Sequence, residues 1–389
     1  MLSLARRLQE RGHAIKIYAF AYSRTDSYED LLEGLEVIPY PFPIKSPITY
    51  YPNYIASITR EAKEAKAFAA IMDPDFDVLN PHDQVSYKVA HYYKRLHRNI
   101  PSVWNMNDVP SLRWGYDKMR EVTDSFHQPM FKRILYAIFD WYDNVKFIRT
   151  QDAIVVLDYL NRRLVKKYLG REAIIVRNGP DLEHFSYRTR MAPTKSHVQL
   201  LTSGILMPHR RFQDAIRAVK ILQDRGIGAT LTIIGDYKND PAYYKQLLQV
   251  VKELQVEDKI SFRGRVSEAE LIEAYHGHDI YIWQHHLQSG GLSPFEAAAC
   301  GMPIVVSKSS GCSEVLTDHK NALLIEPKRP ELIASAVREL VESVGLYEKM
   351  SKEGSDFVRA NFSWDRYTDT MLNILHEMHS KSKYVKNDT

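Results

Sequence analysis

Short apolar runs of strand length alternate with longer stretches whose apolar positions recur every three to four residues, and this alternation holds along the whole chain. Strands buried on both faces read as continuous apolar runs, whereas the helices that cover them carry one apolar stripe. The pattern predicts an α/β fold of helix-covered parallel sheets. In the first half AIKIYAF, FDVLNPH, PSVWNMND, AIVVL and AIIVRNG read as strands, with a helix over 55–71 among the segments between them. The second half repeats the rhythm with VQLLTSG, TLTIIG, ISFRG, DIYIW, PIVVS and ALLIEP. The polar stretch RTRMAPTKSH, 188–197, has neither period and contains a proline, so it reads as a linker between a unit at 1–187 and one at 198–363. Residues 364–389 open with an amphipathic helix over 364–376.

Two features of the first unit depart from this rhythm. A doubly wound unit normally opens with a strand and a turn, but this chain opens directly in a helix, so the unit is expected to lack its initial strand. The segment PYPFPIKSPITYYPNY, 39–54, is too rich in proline to be regular and reads as a loop.

Composition narrows the function classes. A chain of 389 residues suits two domains, and 44% hydrophobic with 26% charged residues is the balance of a globular protein. No apolar run approaches the roughly 18 residues of a membrane span, and the start MLSLARRLQERGH lacks the apolar block of a secretory signal. Cys300 and Cys312 are too few for a disulfide or zinc framework, which points to a reducing cytoplasm. A net charge of +4 without a basic run interleaved with aromatics gives no support to nucleic-acid binding. It leaves room for peripheral contact with anionic lipid at the inner membrane face.

The most informative segment is WQHHLQSGGLSPFEAAACGMPIVVS, 283–307. Its glycine pair precedes a short helix in which Ser293, Pro294 and Glu296 are expected at N-cap, N1 and N3, a capping box ended by Gly301. Backbone amides at a helix start favour phosphate, which makes Gly290, Gly291 and Leu292 candidate pyrophosphate ligands.

At Glu296, with AAACGMP after it and Gly291 before it, the chain resembles the family 4 glycosyltransferases of the GT-B fold, two Rossmann-like parallel-sheet domains facing a cleft. A second match is SGILMPHRRFQDAI, 203–216, in which Gly204 ends a strand and Arg210 stands where the family usually carries lysine, with Arg211 beside it. ISFRGRVSEAELIEAY, 260–275, IIVRNGPDLEHF and RGHAIKIY extend the resemblance over most of the chain. The resemblance implies that Glu296 accepts hydrogen bonds from the donor's ribose and that Arg265 and Val266 border the nucleobase. It implies that Gln288, where the family has glutamate, faces the donor sugar, and that Arg210 and Arg211 neutralise the leaving diphosphate. Ser267 and Glu270 read as a separate capping box. Asn107 and Asp108 stand where the family often has histidine, and with His82 they are the acceptor-side candidates; Asp83 adjoins His82.

The implied activity is transfer of a sugar from a UDP- or GDP-sugar to a saccharide or lipid-linked acceptor, with retention and with neither metal nor cofactor. The last helix is implied to return to the first domain. Two other readings stay open: a metal-dependent transferase using the D-x-D spacing in DPDFD, 73–77, and a degenerate nucleotide-sugar-binding or partner subunit, suggested by Gln288, Asn107 and the expected lack of an initial strand.

Overall fold

The computed structural model describes residues 1–20, 32–40, 54–97, 100–122 and 127–387; the proline- and tyrosine-rich loop at 39–54 falls almost wholly outside these. Strands β1 (Lys16–Phe20) and β2 (Glu36–Tyr40) pair in parallel, and β3 (Val103–Asn105), β4 (Ala153–Val156) and β5 (Ile174–Ile175) form a separate parallel sheet in that order. Strand β2 was not expected from its sequence, LEVIPY. The run FDVLNPH, expected as a strand, makes only isolated bridges, Leu79 to Ser102 and His82 to Asn105. Pro81 has no N–H to donate, so the segment runs beside β3 without becoming a full ladder member.

The helices Leu2–Glu10 and Trp364–Asn387 pack together against this sheet. Leu4, Leu8, Tyr367 and Met371 bury against Val103 and Val155, and Arg7 and Arg11 reach Asp365 and Asp369 at 2.7 and 2.6 Å. The last helix therefore returns to the first half and extends well beyond 364–376. The apolar contacts hold it there, since exposed ion pairs contribute about 0–1 kcal/mol each.

The second half contains β6 (Val198–Ser203), β7 (Ala229–Ile234), β8 (Ile260–Gly264), β9 (Ile280–Trp283), β10 (Ile304–Ser307) and β11 (Leu323–Ile325) in one parallel sheet ordered β11-β10-β9-β6-β7-β8. Alternate residues face opposite layers: Leu200, Ile282 and Val305 enter one buried cluster, and Leu201, Tyr281 and Val306 the other. The chain winds outward from β6 to β8, then restarts on the other side of β6 with β9. Ligands of such sheets bind at that reversal, beyond the carboxyl ends of the strands. The stretch 188–197 is more than a spacer, because Arg190 donates to the carbonyls of His278 (2.6 Å), Tyr275 and Cys300 in the second half.

Candidate functional site

Gly204 leaves β6 and Gln284 leaves β9 at the reversal point. Gly204 has φ +145°, and a Cβ there would lie 2.9 Å from Arg210 Nη1 and 3.1 Å from His285 Cε1. Only glycine lets the guanidinium lie over this backbone. The Arg210 carbonyl accepts from Gln284 Nε2 at 2.9 Å, which fixes the loop to β9. Arg210 Nη1 lies 3.4 Å from His285 Nδ1, while Arg210 Nε and His285 Nε2 are buried without a partner among the described residues. Burial lowers the pKa of both groups, His285 well below the usual histidine value. His285 is therefore neutral. With Nδ1 accepting, Nε2 carries the proton, so both residues hold a buried donor without a partner among the described residues.

His209 and His286 complete this cluster. Burial is the main cause that holds His209 at about 2 and His286 at about 4. His209 Nε2 faces Gln288 Oε1 at 3.2 Å. Arg211 is committed elsewhere: it adopts φ +53°, and Asp214 holds its guanidinium through bonds of 2.6 and 2.9 Å. The structure thus brings Arg210, and not Arg211, against His285.

Glu296 is not part of a capping box. The helix Ser293–Ala299 is preceded by Leu292 at N-cap, with no side-chain cap. It starts one residue earlier than the sequence suggests, so Glu296 falls at N4 and cannot reach back. Its Oε2 instead accepts from Tyr275 Oη at 2.8 Å. Burial raises its pKa to about 7, against the Tyr275 hydrogen bond and with a further push from Glu268. The capping box expected at Ser267 and Glu270 is present. Arg265 is exposed beside it, and Val266 packs on the core.

The glycine loop touches the first half. Gly290 N–H donates to Asp158 Oδ2 at 2.5 Å, and Ser289 Oγ donates to the Asn107 carbonyl at 2.8 Å. Gly311 permits this approach, since a Cβ there would fall 2.1 Å from Asp158 Oδ2. Glu314 accepts from the N–H groups of Tyr159 and Leu160 at 2.7 and 2.8 Å and pairs with Arg177 at 3.2 Å, holding the halves together nearby. A cavity of about 650 Å³ opens at this junction, lined by residues including Arg163, Leu287, Lys308 and Ser309. Gln288 Nε2 bonds the Ser289 carbonyl, so both ends of its amide have partners.

On the first-half side, His82 Nε2 sits 2.9 Å from Asn80 Oδ1 and 3.2 Å from Asn105 Nδ2. Burial lowers its pKa to about 3. Asp83 is exposed at φ +76° and does not pair with it. Sequence reasoning missed Lys118, on the helix Leu112–Val122 that packs against Pro208–Arg210. Burial and Arg210 lower its pKa while Asp108 raises it, which puts Lys118, Asp108 and Arg210 in one field. His285 and His286 carried a readable signal, two histidines directly after a buried strand; Lys118 carried none. Among the described residues no group of three or more His, Cys, Asp or Glu is placed to hold a metal. In DPDFD, Asp73 binds Lys16 at 2.5 Å, and Asp77 Oδ1 lies 3.7 Å from His379.

Comparison with known proteins assigns this architecture to a class. The profile of Glycosyl transferases group 1 matches residues 188–357, and that of Glycosyltransferase Family 4 matches 1–184. The chain belongs to the family 4 glycosyltransferases of the GT-B fold. An uncharacterized glycosyltransferase of Methanocaldococcus jannaschii is 23% identical over 95% of this chain and 91% of its own length. The glycogen synthase of Mycobacterium tuberculosis is 24% identical over 60% of this chain, and the match spans only 54% of that enzyme. A GDP-mannose-dependent phosphatidylinositol dimannoside mannosyltransferase from the same organism is 24% identical over 68% of this chain and 70% of its own. Among solved structures, sucrose-phosphate synthase of Thermosynechococcus elongatus superposes with a TM-score of 0.76 at 16% identity, covering 97% and 92% of the two chains. Anabaena HepE in complex with UDP and glucose does so at 0.72 and 15%, covering 96% and 94%.

Proposed function

We propose that this glycosyltransferase moves a sugar from a UDP- or GDP-sugar to a glycan or lipid-linked acceptor, with retention of anomeric configuration and with fixed cations in place of a metal or other cofactor. In this reading 198–363 binds the donor and 1–187 the acceptor. The observation that carries it is the pair of unmatched, buried donors, Arg210 Nε and His285 Nε2, at the sheet's reversal point. A leaving diphosphate there gains charge as the sugar departs and meets Arg210, the His285 N–H and Lys118. Glu296, ionised, accepts from the ribose hydroxyls; Arg265 and Val266 border the base, and Gly291 and Leu292 offer amides to the phosphates. Gln288 contacts the sugar after releasing Ser289. Asp108, Asn107 and His82 face the acceptor, whose proton passes to the departing phosphate. The UDP of the Anabaena structure and the GDP-mannose dependence of the Mycobacterium relative support both nucleotides as candidates.

The test is incubation with UDP- and GDP-sugars and mixed acceptors in EDTA, with nucleoside diphosphate release measured and product anomers assigned by NMR. Transfer that survives Arg210→Ala combined with Glu296→Ala sinks the site assignment. Activity lost to EDTA and restored by a divalent ion returns the D-x-D reading. A second reading, a binding subunit without turnover, is favoured by the internally satisfied Gln288 amide and by Asp158 on the Gly290 N–H. It predicts nucleotide binding with no release.

A further inference from the structure

The helix Met130–Lys146, MFKRILYAIFDWYDNVK, is amphipathic in the reverse sense for a protein in water. Its two acids point inward. Asp140 is buried and accepts from Ser111 Oγ, the Leu112 N–H and Arg113, and Asp143 accepts from Tyr87 Oη and pairs with Lys88 at 3.2 Å. Its large apolar side chains point outward: Phe131, Ile134, Ile138, Trp141 and Val145 are exposed, Phe131 by 65% and Trp141 by 64%. Their spacing of 3, 4, 3 and 4 residues forms one stripe about 20 Å long at 1.5 Å per residue. A continuous apolar face of this size marks an interaction surface.

The charges around the stripe identify its occupant. Besides these two acids the helix carries cations, Arg133 and Lys146 among them. Lys146 Nζ bonds Tyr142 Oη at 2.6 Å, and the Arg133 guanidinium lies over the Tyr116 ring. Cations flanking an apolar stripe that contains Trp and Tyr match an anionic headgroup layer over acyl chains, where aromatic side chains settle at the polar boundary. No helix among the described residues is long and apolar enough to cross a membrane, so this one lies along the surface. It packs against the helix Leu112–Val122, which in turn packs on Pro208–Arg210 and places Lys118 in the field of Arg210.

We propose that the exposed face of Met130–Lys146 docks the protein on an anionic lipid bilayer, with the first-half side of the cleft beside the membrane. The experiment is flotation of the full-length protein with phosphatidylcholine vesicles and with vesicles containing phosphatidylglycerol, alongside the variant Ile138→Glu/Trp141→Glu and the variant Arg133→Glu. The expected result is at least tenfold stronger binding to the anionic vesicles, lost in the double variant and reduced several-fold in Arg133→Glu. Circular dichroism and the melting temperature should stay unchanged, because the substituted positions face outward. Equal binding to both vesicle types, or binding that survives the double variant, overturns the proposal. Sedimentation showing a dimer that the double variant dissociates also overturns it, since the face then belongs to a second copy. The readout does not depend on transfer, so its failure is separate from failure of the transferase reading.

Discussion

The second half buries one six-stranded sheet between two apolar clusters, one on each face, whereas the described residues of the first half spread their apolar side chains over three clusters around two separate sheets. Under the proposed function the difference follows what each half would hold. A donor with fixed chemistry, a nucleoside diphosphate, rewards donors preorganised on a continuous scaffold. The first half presents looser elements, Asn107 after β3 and Asp158 after β4, and meets the second half through contacts with the glycine loop. If this contrast is real, changes to the second-half cluster should damage chemistry far more than changes to the first-half residues that face it.

The largest effect is expected at Arg210. Replacing it with Ala removes the cation that Gly204 makes room for, leaves His285 Nδ1 without its neighbour and should cost about 3 kcal/mol of transition-state stabilisation, or roughly 100- to 1,000-fold in kcat. KM for the donor should change much less. An equal loss in KM with kcat intact would mean that Arg210 serves ground-state binding only. Asn107→Ala leaves the carbonyl that Ser289 uses in place and is expected to stay within a few-fold of wild type.

Glu296 provides the next test, through pH. In the proposed site its ionised form accepts from the ribose hydroxyls, and burial raises its pKa to about 7. Between pH 8 and pH 6 the ionised fraction falls from about nine-tenths to about one-tenth, so donor affinity should fall about tenfold. A nucleotide sugar is the ligand to use, because a free terminal phosphate would titrate in the same range. Stability should move the other way. The folded carboxyl holds its proton more tightly than the unfolded one, which titrates near 4.5, so this group's stabilising contribution is full below that value and is lost as pH rises through about 7. Glu296→Gln should flatten both curves. An affinity curve that keeps its slope in the variant assigns the titration to another group.

How far the sequence could be read follows the same division between halves. Strands β9 and β10 are buried at every position and appear as apolar runs, and β6 and β7 are apolar apart from interspersed Gln, Thr and Ser; the structure places each within a residue or two of the expected position. In the first half LEVIPY is interrupted by proline, and FDVLNPH ends at Pro81, so the first hid a strand and the second suggested one that is only bridged. At the site Gly204, Arg210 and Glu296 were legible as local patterns. The exact seat of Glu296 was not, because Tyr275, 21 residues upstream, decides where its carboxylate rests. The inward acids of Met130–Lys146 were equally hidden, since a helical period shows a stripe but not which side faces water.

Lys118 offers the smallest effect and the sharpest test of the contrast, because it belongs to the first half yet lies in the field of Arg210 from the second half. Burial and the nearby Arg210 both lower its pKa, so in the empty protein it is a cation held where cations are disfavoured, with Asp108 as partial compensation. A bound diphosphate reverses that balance by placing negative charge between the two. Lys118→Met should therefore raise the melting temperature without ligand and weaken donor binding about fivefold, roughly 1 kcal/mol for an incompletely screened charge. Thermal shifts measured with and without nucleotide sugar read both signs in one experiment. A variant that loses stability and keeps its affinity would show that Lys118 only braces the helix Leu112–Val122, and the donor site would then be the work of the second half alone.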